Sequence, residues 1–120
     1  MTHSMADIDG LDTSSPQHHN TWTKVTGEGT VEKLEEEYIL VESNTRVRQA
    51  KLRDDTGVAN LTLWEEDIDR VSNGYVIKIQ NGMIREFNGK KYFSTGFLGR
   101  LTILEIPKKY PSVLAPVRSY

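Results

Sequence analysis

A chain of 120 residues is enough for one domain with a single core, and its lack of cysteine excludes a disulfide framework and a thiolate metal site. No apolar run approaches the roughly 18 residues of a membrane span, and the N-terminus lacks a secretory hydrophobic region, so an intracellular, soluble protein with no membrane partner is expected. The net charge of −2 conceals an asymmetry: residues 1–44 carry 2 basic and 9 acidic side chains, whereas residues 45–100 carry 10 basic and 7 acidic. Salt screens charge beyond roughly 8 Å, so a local basic surface counts for more than the total, and an anionic partner is not excluded.

Residues 1–20 are polar, turn-rich and without periodicity, which predicts a disordered N-terminal tail. The adjacent His18 and His19 lack convergent partners and read as a solvated pair, not a metal site. The folded domain is expected over residues 21–106. Gly27 to Val41 mixes β-branched and apolar residues around Glu35-Glu36-Glu37. This is either one long bulged strand or two short strands about an acidic turn. Thr45–Asp54 reads as the next strand, and Asp55-Thr56-Gly57 as a turn. In Val58–Trp64 the parity is clear: Ala59, Leu61 and Leu63 point one way, and Asn60, Thr62 and Trp64 the other. Glu65–Val71 reads as a short helix with acids in its first turn, ended by Asn73-Gly74, with Ile68 and Val71 capping one end of the core.

Val76–Phe87 is the following strand. Ile77 and Ile79 share a face that Ile84 reaches only if Asn81-Gly82 forms a bulge. Asn88-Gly89 is a strong two-residue hairpin signal. It sets Phe87 opposite Lys90, Arg85 opposite Tyr92, Ile84 opposite Phe93 and Met83 opposite Ser94. Leu101–Ile106 closes or covers the sheet, and Pro107, Pro111 and Pro116 make residues 107–120 an extended C-terminal tail. The inward set is Ala59, Leu61, Leu63, Ile77, Ile79, Ile84 and Phe93. The element order predicts an all-β protein, a five-stranded OB-fold barrel with one short helix between its third and fourth strands.

The outward face gathers Trp64, Phe87 and Tyr92 among Lys51, Arg53, Arg85 and Lys90. Aromatic faces stack on any base and cations follow phosphates, so this pattern suits single-stranded nucleic acid. A strand-end Trp in a small barrel is often core, and a Tyr beside a hairpin is often a cross-strand filler. Agreement in parity favours the binding face, since Trp64 opposes Leu61 and Leu63, and Phe87 and Tyr92 oppose the Ile84–Phe93 pair. Arg46 and Arg48 either extend the basic track or are solvated edge residues, and Arg48 shares the parity of Ala50 and Leu52. Lys108 and Lys109 read as a solvated tail. No phosphate-binding glycine loop precedes a helix, and Glu65-Glu66-Asp67-Asp69 lacks calcium-loop spacing. No catalytic residue, cofactor or metal is expected.

The run V-R-Q-A-K-L-R-D-D-T-G-V-A-N-L-T-L-W-E-E, followed by N-G-M-I-R-E-F-N-G-K-K-Y-F-S-T-G, resembles the simple single-OB single-stranded DNA-binding proteins. These include the crenarchaeal type and the eukaryotic sensor of single-stranded DNA, in the replication protein A-like OB group. The resemblance covers residues 47–96 well and the first strand poorly. It implies that Trp64 and Phe87 are stacking residues. Met83 and Ser94 stand where relatives tend to carry further aromatics, a departure for which Tyr92 compensates. The implied function is non-enzymatic, sequence-tolerant binding of single-stranded DNA in replication, repair or telomere maintenance, in the nucleus of a eukaryote or the cytoplasm of an archaeon. RNA would use the same face. A protein-binding OB subunit of a larger complex, docking through Val113, Leu114 and Val117, is the alternative.

Overall fold

The computed structural model describes residues 2–10, 21–96 and 98–107, with the backbone alone for residues 21–23. In chain order the elements are α1 (Met5–Gly10), β1 (Thr21–Glu32), β2 (Tyr38–Leu40), β3 (Thr45–Asp54), β4 (Gly57–Trp64), α2 (Glu66–Arg70), β5 (Val76–Phe87), β6 (Lys90–Ser94) and β7 (Arg100–Glu105). Five strands close a ring in the order β1-β3-β4-β6-β5, with β5 pairing back to β1. All neighbours in the ring are antiparallel except β4 and β6. With α2 between the third and fourth ring strands in chain order, this is the OB arrangement the sequence predicts. β2 extends the sheet beyond β3, and β7 pairs with β5 beside β6. Gly27–Val41 therefore resolves as the end of one strand, an acidic loop and a second short strand.

Two local devices set the register. Asn88 and Gly89 both adopt positive φ (53° and 78°), as a tight primed hairpin turn requires. The β5–β6 ladder is accordingly Phe87–Lys90, Arg85–Tyr92, Ile84–Phe93 and Met83–Ser94. The second device is the bulge at Asn81-Gly82, where the β1–β5 register shifts and Asn81 takes φ 53°. A Cβ on Gly82 would lie 2.5 Å from the Ser94 carbonyl oxygen and 2.6 Å from Ile79 Cγ2, so only glycine lets β5 cross this point. Beyond the bulge Ile84 rejoins the inward face.

All seven residues of the predicted inward set are buried, with Leu61, Ile77, Ile79, Ile84 and Phe93 wholly inaccessible to solvent. Ile68 and Val71 join this cluster. The helix ends at Arg70, ahead of Asn73-Gly74, because Val71 is already extended.

The expectation of a disordered tail is corrected for residues 2–10. They enter the fold through α1, and Met5 and Ile8 are buried in the main core. Gly27 makes this approach feasible, since a Cβ there would lie 2.8 Å from Ile8 Cδ1 and 3.0 Å from Met5 Cε. His3 N–H donates to the Thr26 carbonyl at 2.6 Å, which extends the segment along β1. His18, His19, Lys108, Lys109, Val113, Leu114 and Val117 lie outside the described residues. Among the described residues, no helix is long and apolar enough to cross a membrane, and no group of three acids or histidines forms a metal-binding cluster.

Candidate nucleic-acid interface

The outer face of the ring is assembled by strand parity. Residues directly opposite one another in an antiparallel ladder project to the same side. Trp64 faces Val47, Thr62 faces Gln49 and Asn60 faces Lys51, while the β4–β6 contact places Asn60 beside Tyr92. Tyr92 in turn opposes Arg85, Met83 opposes Ser94, and Phe87 opposes Lys90. Trp64, Tyr92, Arg85, Phe87, Met83 and Ser94 thus share one surface, and Leu61, Leu63, Ile84 and Phe93 fill the other.

Two open cavities lie on this surface. One, of about 310 Å³, is lined by Thr62, Trp64, Met83, Arg85, Tyr92, Ser94 and Gly96. It opens where the β4–β6 pairing, confined to Asn60–Tyr92 and Leu61–Phe93, has ended. The other, of about 420 Å³, is lined by Tyr38, Leu40, Val47, Gln49, Thr62, Trp64, Arg85, Phe87 and Tyr92. Thr62, Trp64, Arg85 and Tyr92 border both, so the cavities form a single groove with Trp64 at its centre. Phe87 is 66 % exposed, a large ring held in solvent, and Trp64 and Tyr92 are partly exposed. Among the described residues that line the groove there is no acid and no histidine.

Trp64 is fixed from behind. Glu65 takes φ 51°, an uncommon conformation for a side-chain-bearing residue, and its N–H donates to the Arg46 carbonyl at 3.0 Å. This kink ends β4 and turns the chain into α2. Beneath the groove, Thr62 Oγ1 donates to Gln49 Oε1 (2.9 Å), and Gln49 Nε2 donates to Tyr38 Oη (3.0 Å).

The basic residues divide by their partners. Arg85 and Lys90 are exposed, and among the described residues neither side chain has an ion-pair or hydrogen-bond partner. Arg53 shares the groove's face, but its guanidinium grips Glu32 with two bonds of 2.8 and 2.9 Å. That hydrogen bond with Arg53 holds the Glu32 carboxyl below its ordinary range. Lys51 Nζ donates to Asn60 Oδ1 at 2.6 Å, and Asn60 Nδ2 donates to the Lys91 carbonyl, a tie across three strands. Arg48 is not brought into the groove. It opposes Leu63 on the inward-parity side and its Nε donates to the Glu35 carbonyl at 2.5 Å. Arg46 bridges Asp69 and Glu37, whose hydrogen bonds raise its pKa further above the ordinary arginine value.

The sequence reading omitted Tyr38, Leu40, Val47 and Gln49 from the surface. The signal that could have found them is the β-rich run Tyr38–Val41. Its alternate residues Tyr38 and Leu40 fall on the Trp64 side once β2 pairs with β3.

Over residues 14–103 the sequence matches the family described as single-stranded DNA binding protein Ssb-like, OB fold. No curated protein sequence matches the chain significantly. The fold is similar to a replication factor A related protein from Methanobacterium thermoautotrophicum, with TM-score 0.61 and 19 % identity over 88 % of this chain and 92 % of that one. It is also similar to an OB domain from Thermoplasma acidophilum, with TM-score 0.60 and 21 % identity over 85 % and 90 % of the two chains. The second OB-fold domain of replication protein A from Methanococcus maripaludis aligns with TM-score 0.54 and 22 % identity over 70 % and 86 %. At such identities these likenesses establish the fold.

Proposed function

Because the chain belongs to the Ssb-like, OB-fold family of single-stranded DNA-binding proteins, we propose that its Trp64-centred groove binds single-stranded DNA by sequence-tolerant base stacking. The observation that carries this reading is the convergence of Trp64, Tyr92 and Phe87 with Arg85, a cation free of partners among the described residues, on one open surface. Each base stacked on an aromatic ring is worth about 1–3 kcal/mol and needs no particular base, since every base has a π-face. Arg85 and Lys90 supply phosphate contacts, and these bring counterion release and salt dependence. Lys51 and Arg53 supply a second rank, reached once phosphate competes with Asn60 and Glu32. Met83 and Ser94 line the smaller cavity, beside Trp64. The protein acts as a binder and not a catalyst, serving single strands exposed in replication, repair or telomere maintenance.

A second reading, in which the OB domain docks on a protein, has one observation in its favour. Ile39, on the side of β2 away from the groove, and Val41, in the turn that follows, are apolar and exposed, Val41 being 90 % exposed. Parallel titrations with oligo-dT, oligo-rU and duplex DNA of equal length, at several salt concentrations, test the main reading. Preference for a single strand over duplex, with an inverse dependence on salt, is expected. Equal or tighter binding of duplex, or no binding at low salt, overturns it. Tighter binding of oligo-rU would move the ligand to RNA on the same face.

A further inference from the structure

Tyr38 reaches the groove from β2, a three-residue strand outside the five-stranded ring that, among the described residues, pairs only with β3. Its backbone opposes Val47, which on its other side opposes Trp64. Two strand spacings, about 10 Å, therefore separate Tyr38 from Trp64 on one face. Val47 between them is 1 % exposed yet stands apart from the main core cluster, so it is covered from the outer face. It forms a shared floor beneath the two rings. The Tyr38 hydroxyl accepts Gln49 Nε2–H at 3.0 Å, and Gln49 is itself held by Thr62. A side chain that is 44 % exposed and outside the core cluster is thus fixed in direction by a hydrogen bond and an apolar support.

We infer that Tyr38 is an additional base-stacking platform, which extends the path of the nucleic acid from Trp64 onto the β2 arm with Gln49 as its positioning residue. The inference rests on the proposed function of the groove. The ligand it takes is an unpaired nucleobase rather than a phosphate, because the arm's surroundings are acidic. Glu35, Glu36 and Glu42 are exposed next to it, Arg46 is bound by Glu37 and Asp69, and Arg48 lies on the opposite face of β3 with its Nε on the Glu35 carbonyl. Phosphates are disfavoured at the arm, while an aromatic face remains indifferent to the charge. Tyr38 therefore adds affinity without adding salt dependence, the opposite of Arg85.

The test compares the intact protein with Tyr38→Ala, Tyr38→Phe and Trp64→Ala in titrations with oligo-dT across a range of salt, with thermal unfolding of each variant. Tyr38→Ala should bind about 5- to 150-fold more weakly, with an unchanged slope of log affinity against log salt. Tyr38→Phe, which keeps the ring, should retain most of the affinity, and both should melt close to the parent. If Tyr38→Ala binds like the parent while Trp64→Ala binds weakly, the arm is idle for nucleic acid and the groove stands. If both bind like the parent, the reading of the groove itself fails. A loss in Tyr38→Phe as large as that in Tyr38→Ala, or a reduced salt slope in Tyr38→Ala, overturns the assignment of Tyr38 to stacking.

Discussion

The carboxylate of Asp54 accepts the backbone N–H of Met5 at 2.9 Å and so joins the first turn of α1 to the β3–β4 hairpin, 49 residues away in sequence. Its other oxygen accepts from the Thr56 hydroxyl (2.6 Å), the Thr56 N–H (2.8 Å) and the Gly57 N–H (3.2 Å). One side chain thus shapes the hairpin turn and caps the helix that seals the core with Met5 and Ile8. Asp54→Ala removes these bonds together and should cost about 1–3 kcal/mol of stability. The loss should appear as a lower melting temperature and as faster amide exchange in residues 5–10.

The same carboxylate gives the stability a direction in pH. Desolvation raises its pKa, but the hydrogen bonds from Thr56, Met5 and Gly57 outweigh that effect, and the net value lies below the ordinary one. A lowered folded-state pKa means that the ionised group stabilises the fold. The contribution is complete above the unfolded value of about 3.9 and is lost as pH falls through the lowered folded value. Glu32, Glu37 and Asp69, lowered by their hydrogen bonds to arginines, act in the same acid window. Stability of the parent should therefore decline below about pH 4, and that of Asp54→Asn should decline less steeply, as measured by thermal melts at stepped pH.

The β5 bulge makes a third prediction. Gly82→Ala places a methyl against the Ser94 carbonyl and Ile79, neither of which is the free end of a flexible chain. Overpacking of this kind costs about 1–3 kcal/mol. Calorimetry should show a melting temperature lower by several degrees. A neutral effect would mean that the backbone at Asn81-Gly82 runs differently.

The cations should separate by their partners. Arg85→Ala should weaken oligonucleotide binding alike for different sequences and lower the slope of log affinity against log salt by about 0.7. Arg53→Ala should change the slope less, because its guanidinium is already engaged by Glu32. Glu32→Gln should release Arg53 and tighten binding. The Arg53–Glu32 pair lies at the surface, where solvent screens it, so melting of these variants should stay near the parent.

Local chemistry explains which parts of this molecule the sequence discloses. Asn88-Gly89 dictates a two-residue turn, and the whole β5–β6 register follows from it by counting. Likewise the clash in parity between Ile79 and Ile84 demanded a bulge, and Asn81-Gly82 was the place with the residues to make one. α1 was illegible because its six residues have no run of periodicity; its stability comes from Gly27 and Asp54, which are distant in sequence. Arg53 reads as a free cation until β1 brings Glu32 beside it, and the first strand is where the pattern is weakest. Tyr38 was hidden for a related reason. The direction of a three-residue strand depends on which partner it pairs with, and its own sequence does not say.

The proposed function requires Trp64, partly exposed, and Phe87, exposed, to act as platforms for bases and not as supports of the core. The most direct measurement pairs oligo-dT titration of Trp64→Ala and Phe87→Ala with thermal unfolding of the same samples. Loss of one platform should weaken binding by about 1–3 kcal/mol, roughly 5- to 150-fold, while the melting temperature stays near that of the parent. A buried aromatic behaves in the opposite way, since its truncation typically costs about 3–5 kcal/mol of stability. Variants that bind oligo-dT like the parent, whether or not they melt early, would contradict the account.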